Sequence, residues 1–440
     1  MSTVLIPPST DRRADAWGLA LLLFLANTLS FVDRQVLTLL VKPMRAELGI
    51  SDVQVSLLQG LAFASLYAVL GLPLGRLADR VHRPRLMAAG IALWSTMTVA
   101  SAVASSYPLL FLARMGVAVG EAALAPAAVS LLSDRFARAR VGRAIALFQA
   151  GIFTGSALAL LAGGWLLATF DAGGMPWLQS LGVASAWRAV FLVVGLPGWI
   201  IAPLLLTAHE PRTTSGAAAA SALSIGRVLG WVWDRRDVYG GVMAAFTAIT
   251  ILAYGSLAWA PTVLVRLHAL TSAQAGIRLG IITLIAGPLG VMGAGWLVDR
   301  LAARGRDDAP VIGALAGVFV FALVVPAFAL APSLPLATVA AVALSLAQSY
   351  PYGIASTSLA MVTPPAMRGQ VVALYLLISN LLGLTLGPLL VALGTQRIFG
   401  DDLAVGRSLA LLPLLTMPIA LVALLASRTA YARAWRGANR

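Results

Sequence analysis

Long apolar segments recur along the whole chain and constrain its fold more than any other feature. A helix needs about 20 apolar residues to cross the hydrocarbon core of a bilayer. Twelve spans of this kind are predicted, at residues 17–43, 51–79, 84–105, 107–134, 140–169, 186–208, 238–266, 271–299, 310–331, 334–361, 367–396 and 405–427. Since 60% of the residues are hydrophobic and only 11% charged, an ordinary soluble domain is excluded. We therefore predict an all-α, multi-pass membrane protein.

The longest polar stretch divides these spans into two groups of six. Residues 209–237 are rich in Ala, Ser and Gly and are interpreted as a linker with room for a short surface helix. The predicted organisation is a tail at 1–16, a six-helix bundle at 17–208, this linker, a second six-helix bundle at 238–428 and a tail at 429–440.

The net charge of +14 raises the question of nucleic acid, but the basic residues sit in short loops between the spans. Of the 31 Lys and Arg residues, 22 lie on the side that holds both termini and seven on the other. The positive-inside rule then predicts cytoplasmic termini. We expect a protein of a bacterial inner membrane, with the bilayer as its partner, no nucleic-acid ligand and a monomeric state.

Cysteine is absent, and the three histidines lie near predicted helix ends. Thiolate metal sites and cysteine nucleophiles are therefore excluded, and no other acid/base pair or nucleophile stands out at interfacial depth. We predict a protein that is not an enzyme and that needs no metal or organic cofactor. A scaffold or sensor is disfavoured because no appended soluble domain is visible.

The two halves repeat in sequence. "SDVQ" at 51–54 and "TSAQ" at 271–274 both have a hydroxyl residue followed by Gln three positions later, and are predicted capping boxes 220 residues apart. "GRLADR" at 75–80 and "GWLVDR" at 295–300 share that offset, whereas "VGRAIALF" and "RGQVVALY" match at an offset of 227. Two parallel six-helix repeats resemble the Major Facilitator Superfamily, which implies pseudo-two-fold symmetry and a substrate path between the halves.

The loop "GRLADRVHRPR" at 75–85 is similar to the signature loop of that superfamily. Its candidate gate residues are Gly75, Asp79, Arg80, Arg83 and Arg85. The arginines could serve only as a positive-inside anchor. Asp79 favours a gate, because an acid at a helix C-terminus opposes the helix dipole and needs a basic or helix-N-terminal partner. The resemblance implies that Asp79 latches the cytoplasmic side in one state.

Four charged residues lie deep in predicted spans, and all of them are in the first half. They are Asp33, Arg34, Arg114 and Glu121, and the offsets pair them with Ala253, Tyr254, Ala341 and Gln348. A purely structural requirement of the repeat would be expected in both halves. The asymmetry therefore favours function, since ionisable residues inside a membrane are functional by default.

Neighbours on a helix point about 100° apart, so Asp33 and Arg34 must find partners on other helices. Arg114 and Glu121, seven residues apart, lie on one face of their helix, and the four charges sum to zero. We hypothesise that Asp33 and Glu121 carry a coupling proton, while Arg34 and Arg114 act as a charge relay or bind an anionic headgroup. The alternatives are buried salt bridges that only lock two helices together, or an Asp33-Arg34 pair that reaches the interface.

The second half offers uncharged polar residues for the opposite wall of the cavity. The predicted wall residues are Tyr254, Gln348, Tyr352 and Asn380. Glycines in the segments at 151–165 and 380–390 are interpreted as sites of close helix packing.

The segments at 31–80, 114–136 and 373–388 resemble Spinster-type lipid transporters, through Asp-Arg in helix 1, Gly-Glu-Ala in helix 4 and "ALYLLISNLLGLTLGP" in helix 11. The resemblance implies proton-linked movement of a lysophospholipid or related lysolipid, with Asp33, Arg34 and Glu121 at coupling and headgroup positions. Arg114 matches an arginine motif of helix 4, although the glycine of that motif is Ala118 here.

The alternative is a proton-coupled symporter of small organic anions, such as carboxylates or sugar acids. That branch shares the Asp-Arg of helix 1 and the Glu of helix 4. A small, hydrated anion would favour a second fixed cation in the C-terminal bundle, and no Lys or Arg lies deep there in the predicted spans.

Overall fold

The computed structural model describes residues 10–78, 80–210, 225–365 and 367–438. Twelve helices in these ranges are long and apolar enough to cross a membrane. Those of the first half are α1 (Asp15–Leu39), α2 (Asp52–Gly71), α3 (Arg83–Val103), α4 (Tyr107–Arg135), α5 (Arg140–Asp171) and α6 (Ala186–Leu206). Those of the second half are α7 (Arg236–Leu267), α8 (Ser272–Ala303), α9 (Ala309–Ala329), α10 (Leu334–Met361), α11 (Arg368–Phe399) and α12 (Asp402–Gly437).

Three shorter α-helices lie outside the spans in the described residues. They cover Val41–Leu48 between α1 and α2, Pro176–Ser180 between α5 and α6, and Ile225–Asp234 in the linker. The helical conformation of α12 continues to Ala438, so residues 429–438 extend the last helix. We call the side that carries residues 80, 135 and 210 the terminal face and the side that carries residues 42, 266 and 402 the opposite face.

The repeat is visible in the helix starts. Ser51 accepts a hydrogen bond from the backbone N–H of Gln54, and the Gln54 side chain accepts one from the Ser51 N–H. Thr271 and Gln274 form the same reciprocal pair at the start of α8. Both predicted capping boxes are therefore confirmed.

Glycines bring helices into backbone contact, as predicted for the segments at 151–165 and 380–390. A Cβ at Gly151 would lie 3.0 Å from the carbonyl oxygen of Phe24, so α5 lies directly against α1. A Cβ at Gly255 would lie 2.9 Å from the carbonyl oxygen of Gly387, which brings α7 against α11. Such small-residue contacts let membrane helices pack closely where no hydrophobic effect drives association.

Two of the spans are broken by identifiable residues. In α4 the helix stops at Glu121 and resumes at Leu124. Pro126 lacks an N–H and its ring crowds the carbonyl four residues earlier, that of Ala122, which accounts for the break. In α2 the helix is interrupted at Gly60, between Asp52–Gln59 and Leu61–Ala78.

Candidate functional site

The first pair of deep charges joins Asp33 on α1 to Arg114 on α4. Arg114 Nη1 lies 3.0 Å from Asp33 Oδ2, and the hydroxyl of Thr98 on α3 donates a 2.8 Å hydrogen bond to Asp33 Oδ1. Asp33 is 1% and Arg114 2% exposed. Three helices thus meet on one carboxylate that is shielded from solvent.

The second pair joins Arg34 to Glu121. Arg34 Nε lies 2.5 Å from Glu121 Oε2, and the hydroxyl of Ser30 donates to the same oxygen at 2.6 Å. The other carboxylate oxygen, Oε1, is buried without a hydrogen-bond partner. Glu121 is therefore half satisfied, and it is the last helical residue before the break in α4.

Arg34 differs from the other three charges in its exposure and its surroundings. Its side chain is 19% exposed, whereas those of Asp33, Arg114 and Glu121 are 3% exposed or less. The guanidinium lies 4.9 Å, 4.2 Å and 4.9 Å from the ring centres of Phe31, Phe63 and Tyr67. A cation against aromatic faces is attracted by their quadrupoles without being neutralised. Arg34 therefore presents its guanidinium to the cavity while its Nε is paired with Glu121.

Glycines of α3 and α4 set the position of Glu121. A Cβ at Gly120 would lie 2.5 Å from the carbonyl oxygen of Gly90 and 2.8 Å from the backbone nitrogen of Trp94. Only a residue without a side chain fits there, so α3 and α4 touch along their backbones. Because Gly120 precedes Glu121 in the chain, this contact with α3 also fixes the position of Glu121.

A central cavity lies between the two halves, with about 980 Å³ of atom-free space including its open part. Arg34 and Arg114 of the first half line it together with Tyr254 and Gln348, two of the predicted wall residues of the second half. Asn380 accepts a 3.2 Å hydrogen bond from the Tyr254 hydroxyl and so supports that wall. The side chain of Tyr352 lies outside the described residues.

Sequence reasoning missed Gln35 and Gln59, which also line this cavity. Gln35 donates to the Leu257 carbonyl at 3.5 Å across the two halves. Both polar atoms of the Gln59 amide are buried without a hydrogen-bond partner. The 220-residue offset pairs these glutamines with Gly255 and Leu279. Neither counterpart carries an amide, so the same asymmetry between the halves that marks the deep charges also marks Gln35 and Gln59.

The predicted gate motif divides between two environments. Arg83 is buried and donates at 2.6 Å to both Glu210 and Asp134, whereas Arg80 and Arg85 are exposed. Gly75 lies where the helix of α2 continues toward the terminal face, to Ala78. A Cβ at Gly75 would lie 3.8 Å from Pro126 Cβ of α4. Asp79 lies outside the described residues, so its latch stays a prediction.

A set of bonds closes the structure between the central cavity and the opposite face. Arg266 of α7 holds Asp52 of α2 with both terminal nitrogens, and Arg45 Nη1 lies 2.7 Å from Asp402. One turn deeper, the hydroxyl of Ser56 donates to the Pro388 carbonyl at 3.1 Å. These bonds tie the first half to the second at this level.

One close contact between the halves has a proline on one side and a glycine on the other. Pro388 cannot donate to the Leu384 carbonyl, which leaves that oxygen without its usual partner in α11. Gly60 lies directly against this carbonyl. The break in α2 and the proline of α11 therefore form one contact.

Comparison with known proteins gives the family. The profile of the Major Facilitator Superfamily matches residues 23–388. An MFS-type efflux pump of Mycolicibacterium smegmatis is 32% identical over 66% of this chain and 64% of its own length. A probable L-galactonate transporter of Escherichia coli is 28% identical, over 70% of this chain and 68% of its own. Protein spinster of Drosophila melanogaster is 26% identical, over 87% of this chain and 62% of its own length.

The chain thus spans about two thirds of the length of these relatives. Among solved structures, a bacterial homologue of the human lysosomal transporter Spinster, in an inward-facing and unoccupied conformation, superposes with a TM-score of 0.79 at 25% identity. The superposition covers 96% of this chain and 97% of that one. The resemblance found in the sequence is thereby confirmed: the chain belongs to the Major Facilitator Superfamily and is Spinster-like within it.

Proposed function

We propose that the chain is a proton-coupled transporter of an amphipathic, lysolipid-like substrate that works by alternating access. The observation that carries this proposal is the asymmetry of the central cavity. Its charged lining residues in the described part of the chain are Arg34 and Arg114, both from the first half. The second half contributes no charge in its described residues: its lining is apolar at Ala253, Leu257, Ala258, Leu384 and Pro388 and uncharged polar at Tyr254, Thr283, Gln348 and Ser349. A headgroup would lie on the first wall and an acyl chain along the second.

Arg34 is the residue proposed to meet an anionic headgroup. It is the most exposed of the four deep charges, and its aromatic neighbours leave its donors available to a second anion. A phosphate drawn to Arg34 competes with Glu121 for the same guanidinium. A buried carboxylate that loses its counter-ion is costly, and uptake of a proton removes that charge. Substrate binding and proton uptake at Glu121 are coupled in this way.

Asp33 is the second proposed proton site. Its two oxygens are held by Thr98 and Arg114, so it is fully partnered where Glu121 is half satisfied. Glu121 is therefore proposed to respond first to the substrate. The shared α4 backbone, broken just after Glu121, transmits its movement to Arg114 and so to Asp33.

The orientation is proposed from the positive-inside count, with both termini in the cytoplasm of a bacterial cell. The opposite face is then the outer face, and the bonds between Arg266 and Asp52 close it. A superposition with an inward-facing Spinster homologue supports this assignment.

The second candidate is a proton-coupled symporter of small organic anions. It is favoured by the similarity to a probable L-galactonate transporter and by the unpartnered amide of Gln59, which could bind a sugar hydroxyl. An acyl chain leaves that amide without a partner, so Gln59 distinguishes the two substrates.

The test is transport in reconstituted vesicles under an imposed pH gradient, with a fluorescent lysophospholipid in one arm and a hexuronate in the other. We expect proton-dependent flux of the lysolipid, with Gln59→Leu leaving it within about twofold. Hexuronate flux that Gln59→Leu abolishes would establish the alternative instead.

Variants then test the coupling. We expect Asp33→Asn and Glu121→Gln to retain substrate binding and to lose the dependence of flux on the pH gradient. Asp171→Asn, which removes an exposed acid at the end of α5, is the matched control. Full gradient dependence in both deep variants would overturn the proton assignment.

A further inference from the structure

A second cavity lies at the opposite face, apart from the central one. It has about 720 Å³ of atom-free space including its open part and is bounded by the ends of α1 and α7, the helix at Val41–Leu48 and the start of α8. The polar residues that matter here are Lys42, Arg45, Arg266, Ser272 and Asp402. The proposed transport function does not use this cavity.

The charges around this cavity are unequal. Three cations, Lys42, Arg45 and Arg266, face two carboxylates, those of Asp402 and the fully buried Asp52. Asp52 takes both terminal nitrogens of Arg266 at 2.7 Å. Arg45 uses one nitrogen, Nη1, for both Asp402 at 2.7 Å and Asp52 at 3.1 Å. Positive charge is thus left over on the Lys42 and Arg45 side.

Lys42 is the source of this excess. It is the only lysine in the chain, it is exposed, and it forms no ion pair with a residue in the described ranges. Ser272, the first residue of α8, adds the positive end of a helix dipole and a hydroxyl to the same cavity. Backbone N–H groups of a first helical turn have no intrahelical acceptor and suit an anion. The Thr271 hydroxyl already accepts from the Gln274 N–H, so the N–H groups of Ser272 and Ala273 are the ones proposed for the ligand.

The carboxylate of Asp402 lines this cavity and already binds Arg45, so it takes the place that a bound anion would have. The Asp402 side chain is 52% exposed, so it is already largely hydrated and gains further hydration when it is released. Its carboxylate lies 3.9 Å from Arg266 and 2.7 Å from Arg45, and the hydrogen bond that Arg266 makes to Asp402 is to the backbone carbonyl, at 3.2 Å. A ligand with more charge than one carboxylate can therefore take its place.

We propose that this cavity binds a phosphate-type oxyanion, held by Lys42, Arg45 and the first turn of α8, with Asp402 as the carboxylate that it displaces. Arg266 remains on Asp52, so the tie between α2 and α7 persists while that between Arg45 and Asp402 is released. The ligand is either free phosphate or the phosphate of an anionic lipid headgroup. The inference does not depend on the substrate of the central cavity.

The experiment titrates the purified full chain, in a neutral detergent, with inorganic phosphate or with chloride at constant ionic strength. Calorimetry and thermal shift measure the binding. We expect saturable binding of phosphate but not of chloride. Lys42→Gln is expected to weaken it about tenfold, the effect of losing one charged hydrogen bond. Arg407→Gln removes an exposed charge from the same face without lining the cavity and should leave binding unchanged.

The displaced carboxylate gives the sharper comparison. Asp402→Asn is expected to tighten phosphate binding, whereas Asp401→Asn, the exposed neighbour outside the cavity, is not. The two sources are distinguished by repeating the phosphate titration in nanodiscs of phosphatidylcholine with and without phosphatidate. If phosphatidate abolishes the binding of added inorganic phosphate, the natural ligand is the lipid headgroup. If binding persists, the natural ligand is the free anion. Absence of saturable binding, or equal effects of the two Asp variants, overturns the proposal.

Discussion

Arg266 and Asp52 join the two halves of the molecule by a two-pronged ion pair, with Nη1 to Oδ2 and Nη2 to Oδ1 both at 2.7 Å. Asp52 is fully buried, and the guanidinium of Arg266 stacks toward Trp259, 5.8 Å from its ring centre. Asp52 is also the first residue after the N-cap of α2, where the helix dipole favours a negative charge. The pair is therefore the firmest tie at the opposite face.

We predict that Asp52→Asn opens the molecule toward the opposite face. Removing one member of a buried pair leaves the other charge unpaired, at about 3–5 kcal/mol. A bias of only about 1.4 kcal/mol already changes a population tenfold. The chain has no cysteine, so Leu257→Cys places a single thiol in the central cavity. Its labelling by an impermeant maleimide from the opposite face should accelerate about tenfold or more in Asp52→Asn.

The control is Asp401→Asn, which removes an exposed acid from the same face. The Asp401 carboxylate accepts a hydrogen bond from the Leu403 N–H within its own turn. Asparagine can accept the same bond. Labelling at an unchanged rate is expected there. Equal labelling rates in Asp52→Asn and the parent would show that the pair does not hold the face closed.

Gly60→Ala should act in the same direction through sterics. Its Cβ would collide with the Leu384 carbonyl and lie 3.1 Å from Thr385 Cα, and backbone atoms cannot rotate away. Helix α2 must then move off α11. We expect faster labelling of the Leu257→Cys thiol and a lower melting temperature.

Gly71→Ala, in the same span, is the matched control because no heavy atom lies within 4 Å of its Cβ. Alanine is a better helix former than glycine by up to about 1 kcal/mol, so the control should keep or raise the melting temperature. A melting temperature for Gly60→Ala at or above that of Gly71→Ala would contradict the contact.

The sequence was sufficient for the fold because helix spans and the repeat register are local properties. Capping residues such as Ser51 and Thr271 mark helix starts directly. It also singled out Asp33, Arg34, Arg114 and Glu121, which the structure pairs with one another inside the first half. The partner of each acid could not be derived, because the positions of α1 and α4 are set by packing against other helices, such as that of Gly120 in α4 against Gly90 in α3. The pairing of Asp33 with Arg114 and of Arg34 with Glu121 emerges only from the packed helices.

The closing bonds of the opposite face were beyond sequence reasoning for a related reason. Asp52 and Arg266 are separated by 214 residues, and each looks like an ordinary charge near a helix end. The break after Glu121 had a signal in Pro126, whose position four residues after Ala122 predicts a lost hydrogen bond. Gln59 could likewise have been found from the sequence, because its counterpart in the second half, Leu279, is apolar.

Arg83 should be more important for stability than the neighbouring arginines of its loop. Its Nε donates to Glu210, and its Nη1 donates to both Asp134 and Ser130, which joins the start of α3 to α4 and to the end of α6. A lysine keeps the charge but cannot reach these acceptors with a planar fork. We predict that Arg83→Lys lowers the free energy of unfolding by about 1.5–3 kcal/mol, the value of a hydrogen bond to a charged group.

Thermal denaturation in detergent measures this, with Arg85→Lys as control. Arg85 belongs to the same loop motif but is exposed and should tolerate the change within about 0.5 kcal/mol. Similar losses in the two variants would mean that the loop needs only its positive charge.

Glu47 predicts a pH dependence at the opposite face. Its carboxylate accepts hydrogen bonds from Trp187 Nε1 at 2.5 Å and Arg188 Nε at 2.7 Å, which ties the helix at Val41–Leu48 to the start of α6. Partial burial alone would raise the pKa of Glu47, but these donors outweigh it and hold the pKa below its usual value of 4.5. A carboxyl whose pKa is lowered by folding contributes stability above its unfolded pKa and loses that contribution as the pH falls.

We therefore expect Glu47→Gln to melt below the parent at pH 6–7, with the difference shrinking as the pH falls through about 4.5 toward 3. Glutamine keeps an acceptor for Trp187 but not the charge that Arg188 binds. Melting curves across this range, with Asp171→Asn as an exposed-acid control, measure the effect. A difference that stays constant from pH 7 to 3 would assign the loss to packing instead, because only the ionised carboxylate provides a contribution that protonation can remove.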